Sequence, residues 1–319
     1  MCTSLALPTA DGRQLFGRTL DLDTHFGERV TLTPRRYPFR FSYVPALTEH
    51  HAILGMAAVA DGAVADGYPL YAEAMNNRGL CMAGLRFAGN AVYADRPAAG
   101  KINLAPWELI PYLLGKYATV NQVRNALREI RLIDQPFSSD LPAAPLHWHI
   151  ADSDPTHGGL ILEVTADGMR VYDSPANGAG VLTNNPPYAE QLAFLAEYSA
   201  VRGDAPGLPG DYSSPSRFVR AATFRRWMME WMETQHKDGE GKDLHIEVTP
   251  VTQFFRILAA VSPMAGAVFT KEGKSHRTLY TCCMDSGAGV YHYFTEEDTA
   301  VRSVSFASVD MEGSALVCP

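Results

Sequence analysis

Hydrophobic and polar residues alternate along the first third of the chain, which is typical of β-strands with one buried face. TSLALPTADGRQLFGRTLD contains two alternating runs separated by Asp11-Gly12. This dipeptide indicates a hairpin, because both residues tolerate positive φ. The same alternation predicts strands in ERVTLTPR, HAILGMAAVA, YAEAMNNRGLCMAGLRF, LHWHIADSD, GGLILEVTADGMRVYDS, GVLTN, RTLYTCCMDSGAGVYHYFTEED and AVRSVSFASVDM.

Helical periodicity occurs between these strand blocks. The predicted helices are PWELIPYLLGKY, TVNQVRNALREIRLI, YAEQLAFLAEYSA, SPSRFVRAATFRRWMMEWMETQ and TPVTQFFRILAAV. The second begins at Thr119, which forms a capping box with Gln122 three residues later. Strand blocks separated by helices, without strict strand–helix alternation, predict an α+β sandwich of antiparallel sheets with helices on the outer faces. No internal repeat or linker is evident, so we expect one domain over residues 1–319.

Composition and charge exclude several classes of protein. The chain has 319 residues, of which 46% are hydrophobic and 19% charged, as expected for a globular protein. A net charge of −8 without a Lys/Arg run argues against a nucleic-acid partner, although a small anion would still fit a pocket lined by arginines. The sequence predicts neither a leader peptide nor a membrane span. Five cysteines without a CxxC motif predict no disulfide framework and no zinc site, and favour a cytoplasmic protein.

Cys2 is the strongest candidate for chemistry. Removal of Met1 would give this residue both a thiol and a free α-amine, whose pKa of ~7.7 to 8.0 lets it accept the thiol proton and pass it to a leaving amine. The hairpin places Arg18 and Asp21 nearby, where a cation would favour the thiolate and a carboxylate would hold the ammonium. The alternative is that Cys2 lies in a tolerant terminus and that both partners are ordinary surface residues.

Several segments resemble the choloylglycine hydrolase family, in the family's order and over nearly the whole chain. They are MCTSLAL, LFGRTLDLD, NNRGLCMAGLRF, LHWHIAD, GVLTNNP, LPGDYSSPSRFVRA and RTLYTCCM. That family contains bile salt hydrolases and penicillin V acylases, which are N-terminal-nucleophile amidases with a four-layer αββα fold. The resemblance implies hydrolysis of a linear non-peptide C–N amide in a small anionic substrate. The reaction would pass through a thioester, with no metal and no cofactor.

The resemblance also implies roles for individual residues. Cys2 is similar to the family nucleophile, Arg18 to the arginine next to its thiol, and Asp21 to the aspartate that orients the α-amine. Asn184 matches the oxyanion-hole asparagine, and Arg217 matches the second active-site arginine. From the residues alone, Asn184 would be interpreted as a turn and helix-cap residue and Arg217 as a surface residue in the first turn of a helix.

The substrate and the reaction class stay open at the level of the sequence. Conjugated bile salts come first, followed by penicillin V and then by N-acyl amino acids or N-acyl homoserine lactones. Two alternatives of another kind are a binding protein that has lost turnover and an acyltransferase. Such substrates require apolar pocket walls, and the candidate lining residues are Phe26, Met56, Phe87 and Leu141. Met82 is a further candidate substrate-binding residue, because a backbone N–H near Met82 or Arg86 would hold the oxyanion.

The sequence departs from the family's pattern in two places. Arg86 stands where bile salt hydrolases typically have asparagine and penicillin V acylases often have tyrosine. Its backbone N–H could serve the oxyanion, its guanidinium could attract a carboxylate or sulfonate, or its side chain could point to solvent. The segment near residues 198–212 is shorter than the family loop that reaches a neighbouring subunit, which leaves the family's homotetramer an open question.

Two histidines raise a separate hypothesis of a metal site. His147 and His149 lie at i and i+2 of a predicted strand and therefore share one face. No carboxylate or cysteine follows at a matched spacing, so we expect core-edge histidines and no bound metal.

Overall fold

Two seven-stranded antiparallel sheets form the centre of the computed structural model, which describes residues 1–59, 67–201, 207–237 and 249–319. The strands are β1 (Cys2–Pro8), β2 (Gln14–Leu22), β3 (Glu28–Thr33), β4 (Ile53–Ala58), β5 (Leu70–Asn76), β6 (Cys81–Arg86), β7 (Ile102–Leu104), β8 (Ile130–Leu132), β9 (Leu146–Ala151), β10 (Gly159–Thr165), β11 (Gly168–Ser174), β12 (Val181–Leu182), β13 (Val268–Phe269), β14 (Ser275–Asp285), β15 (Val290–Thr295) and β16 (Arg302–Ser305). The helices are α1 (Leu109–Lys116), α2 (Val120–Leu127), α3 (Tyr188–Ala196), α4 (Ser214–Lys237) and α5 (Pro250–Ala259).

The layers of the fold follow from the apolar faces of the two sheets, which pack against each other and against the helices. The first sheet has the order β12-β1-β2-β14-β15-β16, with β13 paired to β14, and the second has the order β11-β10-β9-β6-β5-β4-β3. Helices α4 and α5 contact the first sheet, and α1 packs on β5 and β6 of the second. One apolar cluster joins residues of both sheets with α4 and α5, and the other lies between the second sheet and α1 and α2. The predicted four-layer αββα sandwich is confirmed.

The predicted hairpin at the start of the chain is confirmed and sets the register of the first sheet. β1 and β2 are joined by a turn in which Gly12 has a φ of +81°, in the left-handed region that favours glycine. Ser4 pairs with Arg18, and Cys2 pairs with Leu20. β14 lies on the other side of β2, where Thr278 pairs with Asp21. The pairing of β1, β2 and β14 therefore brings Arg18 and Asp21 to the end of β1 that carries Cys2.

One predicted helix is too long. α2 begins with the predicted Thr119/Gln122 capping box but ends at Leu127, and Ile130–Leu132 forms β8, which pairs in parallel with β7. Within β8 the residues are buried, exposed and buried in turn, so a period of two replaces the helical period over these three residues.

The short segment near residues 198–212 is described only in part, because residues 202–206 lie outside the described ranges.

The two histidines of β9 point into the interior between the layers. His147 Nε2 lies 2.7 Å from the Thr183 carbonyl oxygen, and its Nδ1 lies 3.3 Å from a Glu163 carboxylate oxygen. His149 Nδ1 lies 2.9 Å from Ser4 Oγ, and its ring contacts Phe16 edge-on. Burial, with a smaller contribution from the charge of a nearby arginine, lowers the pKa of His149 to about 3.

His149 is expected to make folding sensitive to acid. Because its pKa falls from an ordinary value near 6.5 to about 3 on folding, its contribution to stability is complete above pH 6.5 and is lost as the pH falls. Between pH 7.5 and pH 5 the parent chain should lose about 2 kcal/mol of unfolding free energy through this residue, and His149→Leu should not. Urea unfolding at both pH values measures the difference.

A surface histidine provides a control of opposite sign. The hydrogen bond to Glu28 raises the pKa of His25, so His25→Gln should lose stability relative to the parent on acidification. A stability difference between His149→Leu and the parent that does not change with pH would contradict the account.

Candidate active site

Cys2 opens β1 between β12 and β2, and its backbone is held from two sides. Its N–H donates to Asn184 Oδ1 at 2.8 Å, and its carbonyl oxygen accepts from Arg217 Nη1 at 2.5 Å. Its side chain is buried in the cluster between the sheets. The nitrogen and the carbonyl on either side of the thiol-bearing carbon are therefore fixed by partners from other parts of the chain.

Asn184 follows β12, and hydrogen bonds to its side chain and its backbone determine its orientation. Its Oδ1 accepts from Cys2 N and from Arg217 Nη2 (2.9 Å), while its Nδ2 donates to the Arg86 carbonyl oxygen at 2.8 Å. Its backbone N–H donates to Ser214 Oγ at 2.8 Å. The amide oxygen is thus directed at Cys2 and the NH2 group at β6. An amide has two N–H donors, so a second remains for a ligand beside Arg86.

Arg217 lies in the first turn of α4 and is fully buried. Besides Cys2 and Asn184, its guanidinium contacts Thr3 Oγ1 (2.7 Å) and the Tyr212 carbonyl oxygen (3.1 Å). Burial lowers its pKa, which the nearby Asp21 and Cys2 oppose. The interpretation of Arg217 as a surface residue, drawn from the sequence alone, is wrong, because helical periodicity does not show that the first turn of α4 abuts the start of β1.

Arg18 is the second buried cation, and it extends from the first sheet to the second. Its Nη1 donates to the carbonyl oxygens of Gly84 (2.7 Å) and Ala72 (3.3 Å), and its Nε donates to the Thr19 carbonyl oxygen at 3.1 Å. Burial opposes its charge, but interaction with Cys2 and other neighbouring groups raises its pKa above the ordinary value. Arg18 therefore stays charged in the interior and interacts electrostatically with Cys2.

Glu73 on β5 is the counter-ion that the sequence analysis missed. Its carboxylate lies 3.7 Å from Arg18 Nε and accepts hydrogen bonds from the hydroxyls of Tyr280 and Tyr291, both at 2.7 Å. Burial raises the pKa of Glu73. A signal was present, because Glu73 is the single charged residue in the strand LYAEAMN. A buried acid at that position requires a partner from the facing sheet.

Asp21 is buried and pairs with Met1 at the start of the chain. The Asp21 carboxylate accepts from the hydroxyls of Thr278 (2.8 Å) and Thr19 (3.3 Å). The Met1 amino nitrogen donates to the Asp21 carbonyl oxygen at 2.5 Å and lies 3.4 Å from His276 Nδ1, and the Asp21 N–H donates to the Met1 carbonyl. Met1 therefore extends the pairing of β1 with β2 by one residue. Its peptide bond occupies the nitrogen that would be the free α-amine of Cys2.

The predicted substrate-binding residues are spread over several environments. Met56 is buried in the same cluster as Cys2, whereas Met82 faces α1 and α2 on the other side of the second sheet. Phe87 is buried and stacks on His147. Phe26 and Leu141 are partly exposed. The structure therefore places Met56 in the same extended cluster as Cys2 and the Met82 side chain in the other cluster.

Arg86 ends β6 with its carbonyl oxygen turned to Asn184 and its side chain exposed. Burial and positive charge, including that of Arg86, lower the pKa of His276. The charge of Arg86 is thus felt at His276, which lies 3.4 Å from the Met1 amino nitrogen. Within the described ranges, no group of three or more His, Cys, Asp or Glu side chains could hold a metal, and no helix is long and apolar enough to cross a membrane.

Comparisons with known proteins show what the chain as a whole is similar to. A family profile described as linear amide C-N hydrolases, choloylglycine hydrolase family, matches residues 2–318. The chain is 36% identical to a bile salt hydrolase/transferase of Lactiplantibacillus plantarum, over 99% of this chain and 96% of the relative. Its structure resembles that of the C2A mutant of conjugated bile acid hydrolase from Clostridium perfringens, with a TM-score of 0.84, 32% identity, and coverage of 99% and 96% of the two chains.

A more distant structure shares the fold. Penicillin V acylase from Agrobacterium tumefaciens has a TM-score of 0.77 at 19% identity, covering 99% of this chain and 90% of its own. At this identity the likeness concerns the arrangement of sheets and helices.

Glu73→Gln should destabilise the chain because it removes the negative charge facing buried Arg18. Loss of one partner of a buried ion pair leaves the other uncompensated, so we expect the unfolding free energy to fall by about 3 kcal/mol. Glu197→Gln is the matched control, since Glu197 is exposed and the same exchange should change stability by less than about 0.5 kcal/mol. Urea denaturation measures both, and similar values for the two variants would show that Arg18 does not depend on this charge.

Proposed function

The chain belongs to the choloylglycine hydrolase family of linear amide C–N hydrolases, and from that premise we propose that it cleaves conjugated bile salts into a bile acid and glycine or taurine. One observation carries the proposal at the level of the site. The nitrogen of Cys2 donates to Asn184 Oδ1 while Arg18 and Arg217 both interact with Cys2. The named substrates of the relatives above supply the substrate class.

In the proposed reaction Cys2 acts as nucleophile after removal of Met1. Its free α-amine takes the thiol proton, and the sulfur attacks the amide carbonyl of the substrate. Asn184 Oδ1 already accepts from this nitrogen and would keep it beside the sulfur. Asp21, whose carboxylate is held by the hydroxyls of Thr278 and Thr19, is the residue proposed to hold the new ammonium. One residue thus supplies both nucleophile and base.

The tetrahedral intermediate would be stabilised beside β6. Asn184 Nδ2 has its second N–H available next to the Arg86 carbonyl, and removal of one such donor typically raises a barrier by ~3 to 4 kcal/mol. Collapse of the intermediate breaks the C–N bond, and the ammonium returns its proton to the leaving amine. Water then hydrolyses the Cys2 thioester.

The five cysteines are all free, which supports action in a reducing, cytoplasmic compartment.

Arg86 is proposed to bind the charged end of the amine half of the substrate. Its carbonyl oxygen accepts from Asn184 Nδ2, so its backbone is fixed at the site while its side chain is exposed to solvent. A guanidinium can bind a carboxylate or sulfonate in a bidentate manner. Glycine and taurine conjugates carry these two groups at the end released as amine.

Removal of Met1 and the thiol of Cys2 should both be required for turnover. We expect protein shown by intact mass to begin at Cys2 to release amine from glycine- and taurine-conjugated bile salts, measured beside penicillin V. Cys2→Ala should lower kcat by at least roughly a thousandfold. A form that keeps one residue before Cys2 should be inactive, because its amide nitrogen has no lone pair available as base.

The same assay separates the remaining alternatives. Full turnover with a residue left before Cys2 would contradict the role of the α-amine. Cleavage of penicillin V without cleavage of bile salts would reassign the substrate. Formation of a new bile acid amide when a second amine is added would identify acyl transfer besides hydrolysis. Ligand binding with no product from any of these substrates would favour a binding protein.

Arg86→Gln should weaken recognition of the charged end alone. We expect kcat/KM for a glycine conjugate to fall by roughly tenfold, or about 1.4 kcal/mol, and kcat/KM for the uncharged methyl ester of that conjugate to stay the same. Arg78→Gln, which removes another exposed arginine, serves as control. An equal loss for the charged and uncharged substrates would assign Arg86 to the structure of the site and not to charge recognition.

A further inference from the structure

A cavity of about 780 Å³ lies on the helix side of the second sheet and shares no lining residue with the site around Cys2. It is bounded by β8, by the ends of β10 and β11, by the C-terminal half of α2, and by residues 92–94. Its volume falls within the range of about 300–1,000 Å³ that is typical of small-molecule sites. Nothing in the proposed reaction uses it.

The floor of this cavity is apolar. Leu127, Ile130 and Val164 are buried and belong to the cluster between the second sheet and its helices. Met169 packs against that cluster from β11, and Val171 on the same strand is 38% exposed. The described surface therefore presents aliphatic side chains to an occupant over much of its inner wall.

The rim of the cavity is positively charged. The lining includes four cationic side chains, which lie just before β7, in α2, just after α2 and in β8: Lys101, Arg124, Arg128 and Arg131. Against a net charge of −8 for the whole chain, four cations around one opening are a marked local excess. Such a cluster attracts anions of low molecular weight.

Carboxylates neutralise two of these four cations. Lys101 Nζ lies 3.4 Å from Glu129 Oε2, and Arg124 pairs with Asp173. Arg131 Nε donates to a backbone carbonyl oxygen, that of Arg96, at 3.2 Å. The side chain of Arg128 makes no hydrogen bond and no ion pair within the described ranges. Arg128 and Arg131 therefore keep their positive charge available to a ligand.

We propose that this cavity binds one amphipathic organic anion, with its apolar body on the aliphatic floor and its anionic group at Arg128 and Arg131. The charge on the rim and the apolar lining are complementary to the two ends of such a molecule, and a dissolved inorganic anion would use only the rim. Conjugated bile salts and fatty acid anions both belong to this chemical class. The inference does not depend on what the Cys2 site cleaves.

Binding to the full chain with Cys2→Ala tests the proposal without consuming the ligand. Taurocholate and dodecanoate are titrated separately below their critical micelle concentrations by isothermal titration calorimetry. We expect Arg128→Ala combined with Arg131→Ala to weaken binding of at least one of them by roughly tenfold or more. Arg40→Ala combined with Arg78→Ala removes the same charge from exposed positions outside the cavity and should leave binding unchanged.

A second variant acts through the cavity wall. Val171→Glu places a carboxylate beside the cations at a partly exposed position, so the fold should be retained and binding should weaken to a similar extent. Taurocholate binding that depends on Arg128 and Arg131 assigns the site to bile salts, and dodecanoate binding with that dependence assigns it to fatty acid anions. Either result supports the proposal.

The contrary outcomes are equally defined. The proposal is overturned if neither ligand binds with a dependence on Arg128 and Arg131, or if the control pair weakens binding as much. It is also overturned if sedimentation shows that the cavity is covered by a second copy of the chain and that Val171→Glu separates the copies. Failure of bile salt cleavage by the processed chain would refute the proposed function and leave this binding result unaffected.

Discussion

The contact between Arg18 and the second sheet is the constraint on which the site depends. A buried guanidinium is tolerated only where hydrogen bonds and a counter-charge replace its hydration. Here the carbonyls of Ala72 and Gly84 and the carboxylate of Glu73 come from β5 and β6, whereas Arg18 itself belongs to β2. The charge beside Cys2 can therefore be buried only when both sheets are assembled face to face. The same contact joins the sheets and places the cation at the thiol.

A second network holds Cys2 from the opposite direction. Arg217 lies in the first turn of α4, where a cation is unfavourable with respect to the helix dipole. It is nevertheless buried, because its N–H groups satisfy the carbonyl of Cys2, the hydroxyl of Thr3 and the amide oxygen of Asn184. These hydrogen bonds, to the start of β1 and to Asn184, replace the hydration of the buried guanidinium. The position of Arg217 is set by the site, and the helix accommodates it.

The sequence was sufficient for features that arise locally. The Asp11-Gly12 turn, the Thr119 cap and the alternation in the strands each depend on a few neighbouring residues, and each is found in the structure. The extent of α2 was wrong because pairing of β8 with β7 is a tertiary contact that competes with helix extension. Glu73 was missed for a related reason, since its two tyrosine partners lie more than 200 positions away. Single-strand patterns do not show which buried acid faces which cation.

Arg86 shows how one position can serve two requirements. In a β-strand the backbone groups point along the sheet while the side chain points out of it. At the end of β6 the carbonyl of Arg86 orients Asn184, and this contact depends on the path of the strand and not on the identity of the residue. The exposed guanidinium is therefore free to differ between proteins that keep the same arrangement around Cys2. A change of side chain here changes the exposed charge next to Asn184 without removing the hydrogen bond that orients it.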